Sequence, residues 1–253
     1  MATKQNLQVI AFIGKIGAGK TYQMMKRLEA EKSNGNSIAI ISFADPIKQF
    51  LHSIGLDKSG LVGDGPAISH TEFADELADV LWEWIFKSIL YISYQLDEPI
   101  NSNQATDTFI AIWYQHHEQL IDEIKACVLD NGNYSSHYRK IIQLVGTEFG
   151  RGVYPMIWCQ HLMERVRILA EGGTTHRIFV DDVRFWNEYN ALRGLPYPVS
   201  ILGVVADEEV RAARRGQTIE AIREADKHGS EVDVQPMIDQ LQRCDLIFNQ
   251  RSE

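Results

Sequence analysis

Leu7 to Thr21 reads LQVIAFIGKIGAGKT, and the fold is decided within it. An apolar run from Leu7 to Ile13 has the length and branching of a strand buried on both faces. It stops at Gly14, and Lys20 to Lys32 follows without a proline, in helical pattern. Between strand and helix, Gly14-Lys15-Ile16-Gly17-Ala18-Gly19-Lys20-Thr21 meets G-x-x-x-x-G-K-[ST] at every required position. The chemistry of that spacing is polyphosphate binding. Glycines let the backbone wrap closely around an anion, while loop N–H groups and the helix N-terminus supply positive potential. Lys20 can reach terminal phosphates, and the Thr21 hydroxyl can ligate Mg²⁺. Binding does not specify a reaction, because one such cradle serves motors, switches and transferases alike.

Working outward, Ser37 to Phe43 (SIAIISF) is a second buried strand, and Asp45-Pro46 suits a helix start. Turn residues from Gly55 to Gly65 precede a long helical stretch. Phe73, Leu77, Val80, Leu81, Trp84 and Ile85 share one helical face, and Trp113, Leu120, Ile121, Ile124 and Val128 another. The spacing predicts a helical insertion over 67–132, closed by the turn cluster DNGNYSS, within a core formed by 1–66 and 133–253. Tyr138 to Phe149 and Met156 to Glu171 are expected as helices, Arg177 to Val183 and Val199 to Val205 as strands. The tail predicts helices at Glu208 to Arg215 and Pro236 to Arg243 and a strand at Leu246 to Asn249. Alternating strands and helices argue an α/β fold, a mostly parallel sheet with helices on both faces.

Composition sets the bounds. The 253 residues are 45% hydrophobic and 23% charged, enough for a large α/β domain with an insertion. A net charge of -9 and a pI near 5.4 repel phosphodiester backbones, so no extended nucleic-acid partner is expected. Cys127, Cys159 and Cys244 show no metal-ligand or disulfide spacing, which fits a reducing cytoplasm. The opening MATKQNLQVIAFIG lacks a signal-peptide pattern, so export is not expected. Val80 to Leu96 carries Glu83 and Lys87 and is expected as a buried helix, with no membrane partner.

Three further segments carry chemistry-bearing residues. In Arg139 to Arg151 (RKIIQLVGTEFGR), Arg139 and Gln143 lie four apart on one helical face, a cation and an amide aimed together. Val180 to Glu188 (VDDVRFWNE) puts aspartates at the carboxyl end of a parallel strand, where α/β sheets hold ligands and where Asp182 can organise Mg²⁺; Arg184 shares its face. Asp207 to Gly216 (DEEVRAARRG) is a basic cluster in an acidic chain. Its plain alternative is a solvated helix face.

Together these segments resemble the deoxynucleoside monophosphate kinases of large bacteriophages and bacteria, within the P-loop kinase group that also includes phosphomevalonate kinase. The marks are GKIGAGKT, ADPIK (Ala44 to Lys48), IIQLVGTEFGR (Ile141 to Arg151), Trp158, DDVRFWNE (Asp181 to Glu188), the arginine cluster, Ser230-Glu231 and DLIFN (Asp245 to Asn249). The likeness implies a three-layer α/β/α P-loop NTPase fold and transfer of the γ-phosphoryl group of ATP to a deoxynucleoside monophosphate. It implies that Gly14, Lys15, Gly17, Ala18, Gly19, Lys20 and Thr21 hold ATP and Mg²⁺, with Asp182 as a second metal group and Asn249 at the donor base. Lys48, Arg139, Gln143, Thr147, Arg151, Trp158, Arg184 and Glu188 would hold the acceptor, the Trp158 indole stacking on its base. Arg211, Arg214 or Arg215, in a lid over 207–234, would close on the transferring group. Partners would be small nucleotides, with a homodimer left open, in bacterial cytoplasm or that of a phage's host. Two alternatives stand beside this: another phosphorylated acceptor, as in phosphomevalonate-type kinases, or a P-loop binding or switch protein. The chain has no N-K-x-D sequence, as guanine-specific switches use.

Overall fold

The computed structural model describes residues 7–57, 60–61, 70–95, 102–129, 134–227 and 229–250. They form two compact units, one of residues 1–43 and 162–253, the other of residues 44–161.

The first unit is built on a five-stranded, all-parallel sheet. Its strands are β1 (Gln8–Ile13), β2 (Ile38–Ile41), β5 (Arg177–Val183), β6 (Val199–Val205) and β7 (Leu246–Phe248), in the order β2-β5-β1-β6-β7. Val9 to Ile13 are all 0% exposed. Successive strand residues point to opposite faces, so both faces of β1 are covered, as the uninterrupted apolar run requires. On one face Ile10 and Phe12 join Phe179 and Val204 against Met24 and Leu28 of α1 (Lys20–Ser33). The chain leaves β1 toward β2 on one side, while β6 and β7 lie on the other. The carboxyl ends of these strands therefore gather the glycine loop, the residues after β5 and those after β6 at one edge, the place where such sheets take ligands. α7 (Trp186–Arg193) links β5 to β6, and after β6 come α8 (Glu208–Arg215), α9 (Ile219–Ala225), α10 (Gly229–Val232) and α11 (Val234–Asp239). A 3₁₀ turn at Arg243–Asp245 stands where the expected helix over Pro236 to Arg243 would end; α11 stops four residues short of Arg243.

The second unit contains α2 (Asp45–Ser53), a two-residue hairpin of β3 (Leu56–Asp57) and β4 (Gly60–Leu61), then α3 (His70–Gln95), α4 (Ser102–Leu129), α5 (Tyr134–Gln143) and the first turns of α6 (Ile157–Glu171). It is wider than the expected insertion over 67–132: Phe50 of α2 stacks on Trp84 of α3, and α5 and the segment after it pack on the long helices. Leu77, Leu81, Ile85 and Ile89 of α3 and Phe109, Leu120 and Ile124 of α4 are buried, while Val80 faces outward. A polar connector is expected over Leu96 to Asp107; its residues 102–107 are already helical in α4, while 96–101, and the start of DNGNYSS at 130–133, lie outside the described residues. Among the described residues no helix is long and apolar enough to cross a membrane.

One element departs from the expected α-helix. From Leu144 to Arg151 the chain is a π-helix, directly continuing α5. Its glycines are closely packed. A Cβ on Gly150 would lie 2.5 Å from Cζ2 of Trp158 and 2.9 Å from Cε2, so only glycine lets this backbone meet the indole. The Trp158 N–H donates to the Gly146 carbonyl at 2.7 Å.

Candidate functional site

The glycine loop turns twice through backbone conformations that suit glycine alone. Gly17 has φ 79° and Gly19, which caps α1, φ 89°. These turns bring the Lys20 side chain back over its own loop, where Nζ donates to the Gly14 carbonyl and, at 3.4 Å, to that of Lys15. The residue keeps some surface, yet its amine sits among protein groups. Burial, then the nearby Arg184 charge, push its pKa down to about 7; Asp181 and, less, Asp182 act in the opposite direction. Lys20 is thus a cation held in a costly place with an anion as its natural partner.

Arg184 stands just past β5. Its backbone N–H donates to Glu188 Oε2 at 2.7 Å, and the Phe185 N–H donates to the same oxygen at 3.1 Å. Glu188 is 2% exposed and closes the first turn of α7. Glu188, expected on the acceptor side, commits one carboxylate oxygen to two backbone amides. The Arg184 guanidinium pairs with Glu231, which is 4% exposed, and Glu231 Oε2 also accepts the Ile16 N–H at 3.0 Å.

The arginines of α8 are not arranged as a mobile cover. Arg211 is 2% exposed; its Nε donates to the Ile16 carbonyl at 2.9 Å, and its two terminal nitrogens grip Asp226 at 3.0 and 2.5 Å. Arg214 donates to the Gly17, Ala18 and Asn249 carbonyls. Both brace the loop through its carbonyl groups, the side of the peptide opposite to the one that would meet an anion. Arg215 is exposed and reaches Gln217 at 2.8 Å. Lys15 pairs with Asp226 at 3.0 Å. Burial alone would raise the Asp226 pKa, but hydrogen bonds from Arg211 and Lys15 outweigh it and hold the carboxyl below its usual range. Asn249, expected at a donor base, instead donates from Nδ2 to the Ala18 carbonyl at 2.9 Å and lies against Gly19.

Asp182 Oδ1 accepts the Phe43 N–H at 3.0 Å, tying the end of β2 to β5. Thr21 begins α1 and is exposed. A threonine hydroxyl and the Asp181 and Asp182 carboxylates near Lys20 are hard oxygen donors of the kind Mg²⁺ takes. Among the described residues no group of three or more His, Cys, Asp or Glu could hold a metal. These side chains fit an ion that takes most of its ligands from phosphate and water.

In the second unit, Arg139 is exposed, and Lys48, Gln143, Thr147 and Arg151 are half-buried. Arg139 and Gln143 share one face of α5; Thr147 and Arg151 lie on the π-helix. Lys48 pairs with Asp45 at 3.7 Å, and Arg151 donates to the Pro155 carbonyl at 3.5 Å. Trp158 departs from its expected role. It is 1% exposed, its N–H is committed to Gly146, and its ring stacks near Trp84 and His161. An indole so enclosed packs the unit and leaves no face for a base. Buried Cys127 and Cys159 serve as packing; burial and then Glu123 push the Cys127 thiol up to about 12.

The sequence reading missed Asp226 and the Glu231–Ile16 contact and gave Asp181 no role. No short-range signal marks the first two, because they meet the loop from 211 and 215 residues away. No protein-family model and no curated protein matches the chain.

Proposed function

We propose that the chain is an ATP-dependent phosphotransferase with a P-loop NTPase fold in three α/β/α layers, acting on a phosphorylated small acceptor, foremost a deoxynucleoside monophosphate. The observation that carries this reading is Lys20. A lysine at the close of a G-x-x-x-x-G-K-T loop, at the carboxyl end of a central parallel strand, has its pKa pushed to about 7 by burial and Arg184, with two aspartates beside it. Neutralising a transferring phosphoryl group needs such a cluster.

In the proposed reaction an acceptor phosphate oxygen attacks the γ-phosphorus of ATP. The bond to the bridging oxygen breaks, and ADP leaves with that electron pair. Loop amides and Lys20 hold the donor phosphates, and Arg184 takes up charge on the transferring or acceptor phosphate. Thr21 with Asp181 or Asp182 would hold Mg²⁺, which draws charge off the donor oxygens when bound. Arg211, Arg214 and Asn249 act one step back, by fixing the loop's shape. Lys48, Arg139, Gln143, Thr147 and Arg151 enter as acceptor-side residues from the resemblance alone. The work would be done in a reducing cytoplasm.

Enclosure of Trp158 widens the acceptor class, since it takes away the base stacking that the resemblance assigns to the indole. Purified protein with ATP and Mg²⁺ is therefore offered each deoxynucleoside monophosphate and, separately, phosphomevalonate. ADP formed together with one phosphorylated product supports the reading and picks the acceptor. ATP hydrolysis indifferent to every acceptor would favour a switch protein instead.

A further inference from the structure

Two carboxylates, Asp226 at the end of α9 and Glu231 in α10, tie these helices to the glycine loop. Asp226 binds Lys15 and Arg211, and Glu231 binds the Ile16 N–H and Arg184. The second tie is the informative one. A loop amide of this kind and a neighbouring arginine are donors that suit a phosphate oxygen, and here a buried carboxylate holds both. A carboxylate and a polyphosphate cannot share them, because two anions at contact distance repel strongly in a partly desolvated site.

We propose that Glu231 and the polyphosphate of a triphosphate exclude one another, so that α9 and α10 release the loop whenever a nucleotide is bound. Glu231 is thereby an internal competitor that weakens resting affinity and keeps Arg184 ordered until an anion takes it over. The first tie, at Asp226, gives way by the same logic, since phosphates draw Lys15 away from it. This rests on the nucleotide reading of the loop.

The full-length chain is titrated calorimetrically with ATP and with tripolyphosphate, without acceptor, as wild type, Glu231→Gln and Glu231→Ala. Competition predicts that both variants bind both probes more tightly, on the order of tenfold, because the binding-competent fraction no longer has to be won from the carboxylate. Hydrogen exchange on the wild type needs no variant and covers the case of misfolding. ATP should speed exchange in 229–232. Wild-type binding with equal or weaker binding by both variants, or slower exchange in 229–232 with ATP, overturns the competition while leaving the nucleotide reading in place. No binding by wild type or either variant overturns the nucleotide reading and the competition with it.

Discussion

Two glycine-bearing segments, the loop at 14–21 and the π-helix at 144–151, use the same residue for opposite ends. In the loop, Gly17 and Gly19 adopt positive φ and turn the chain around space where Lys20, Arg184 and two carboxylates converge. In the π-helix, Gly150 has no unusual φ; it is needed because a tryptophan ring fills the place of its Cβ. Glycine in the first segment is needed for its backbone angles as well as for the native groups packed against it, Asn249 at Gly19 above all; in the second it is needed only for the room that a native ring takes. Charge separates the two cases: the loop collects ionic groups at a cost in desolvation, the π-helix collects aromatic rings.

The strongest test of that contrast is Lys20. Lys20→Met should lower turnover by a factor of about 10³ or more, if the residue carries transition-state charge. The fold should nonetheless gain stability. Lys20 titrates near 7 in the folded chain against an ordinary 10.5, so the unfolded chain binds more protons between those values. The penalty is therefore complete below about pH 7 and fades as pH rises toward 10.5. Thermal unfolding of wild type and Lys20→Met should differ more at pH 6 than at pH 10, with the variant higher. An equal or lower melting temperature at pH 6 would mean the amine is not held at a cost.

Gly150→Ala tests the other side. The added methyl meets a buried ring at 2.5 Å, and neither can withdraw without repacking, so stability should fall by about 2–3 kcal/mol. Turnover per folded molecule, measured below the new melting transition, should stay within a few-fold. A stable Gly150→Ala protein that has lost activity would move this segment from packing to chemistry.

How much of this could be read from residues alone follows the range of each interaction. Gly14 to Thr21 was legible because its requirements are local: where φ must be positive and where a lysine must follow. The parallel sheet was legible because both-face burial writes unbroken apolar runs such as Val9 to Ile13. The roles of Arg211, Arg214 and Asn249 were not, since a basic cluster looks the same whether it awaits a ligand or grips carbonyl groups 195 residues away. The π-helix was equally hidden. Its pattern of apolar residues passes for an α-helix, and the ring packed against Gly150 comes from outside the segment.

Trp158 gives the finest discrimination between packing and binding. In Trp158→Phe the Gly146 carbonyl loses its donor in a buried setting, and the smaller ring leaves a gap, together costing about 1–3 kcal/mol. Were the indole a platform for an acceptor base, Trp158→Leu would also remove stacking worth about 1–3 kcal/mol, raising the acceptor KM roughly 5- to 150-fold. Enclosure of the ring predicts otherwise: both variants melt earlier, and both keep an acceptor KM within about twofold of wild type. A large KM increase in Trp158→Leu, with Trp158→Phe nearly normal, would mean that the ring has an open face during turnover, and that the second unit rearranges around the π-helix to provide it.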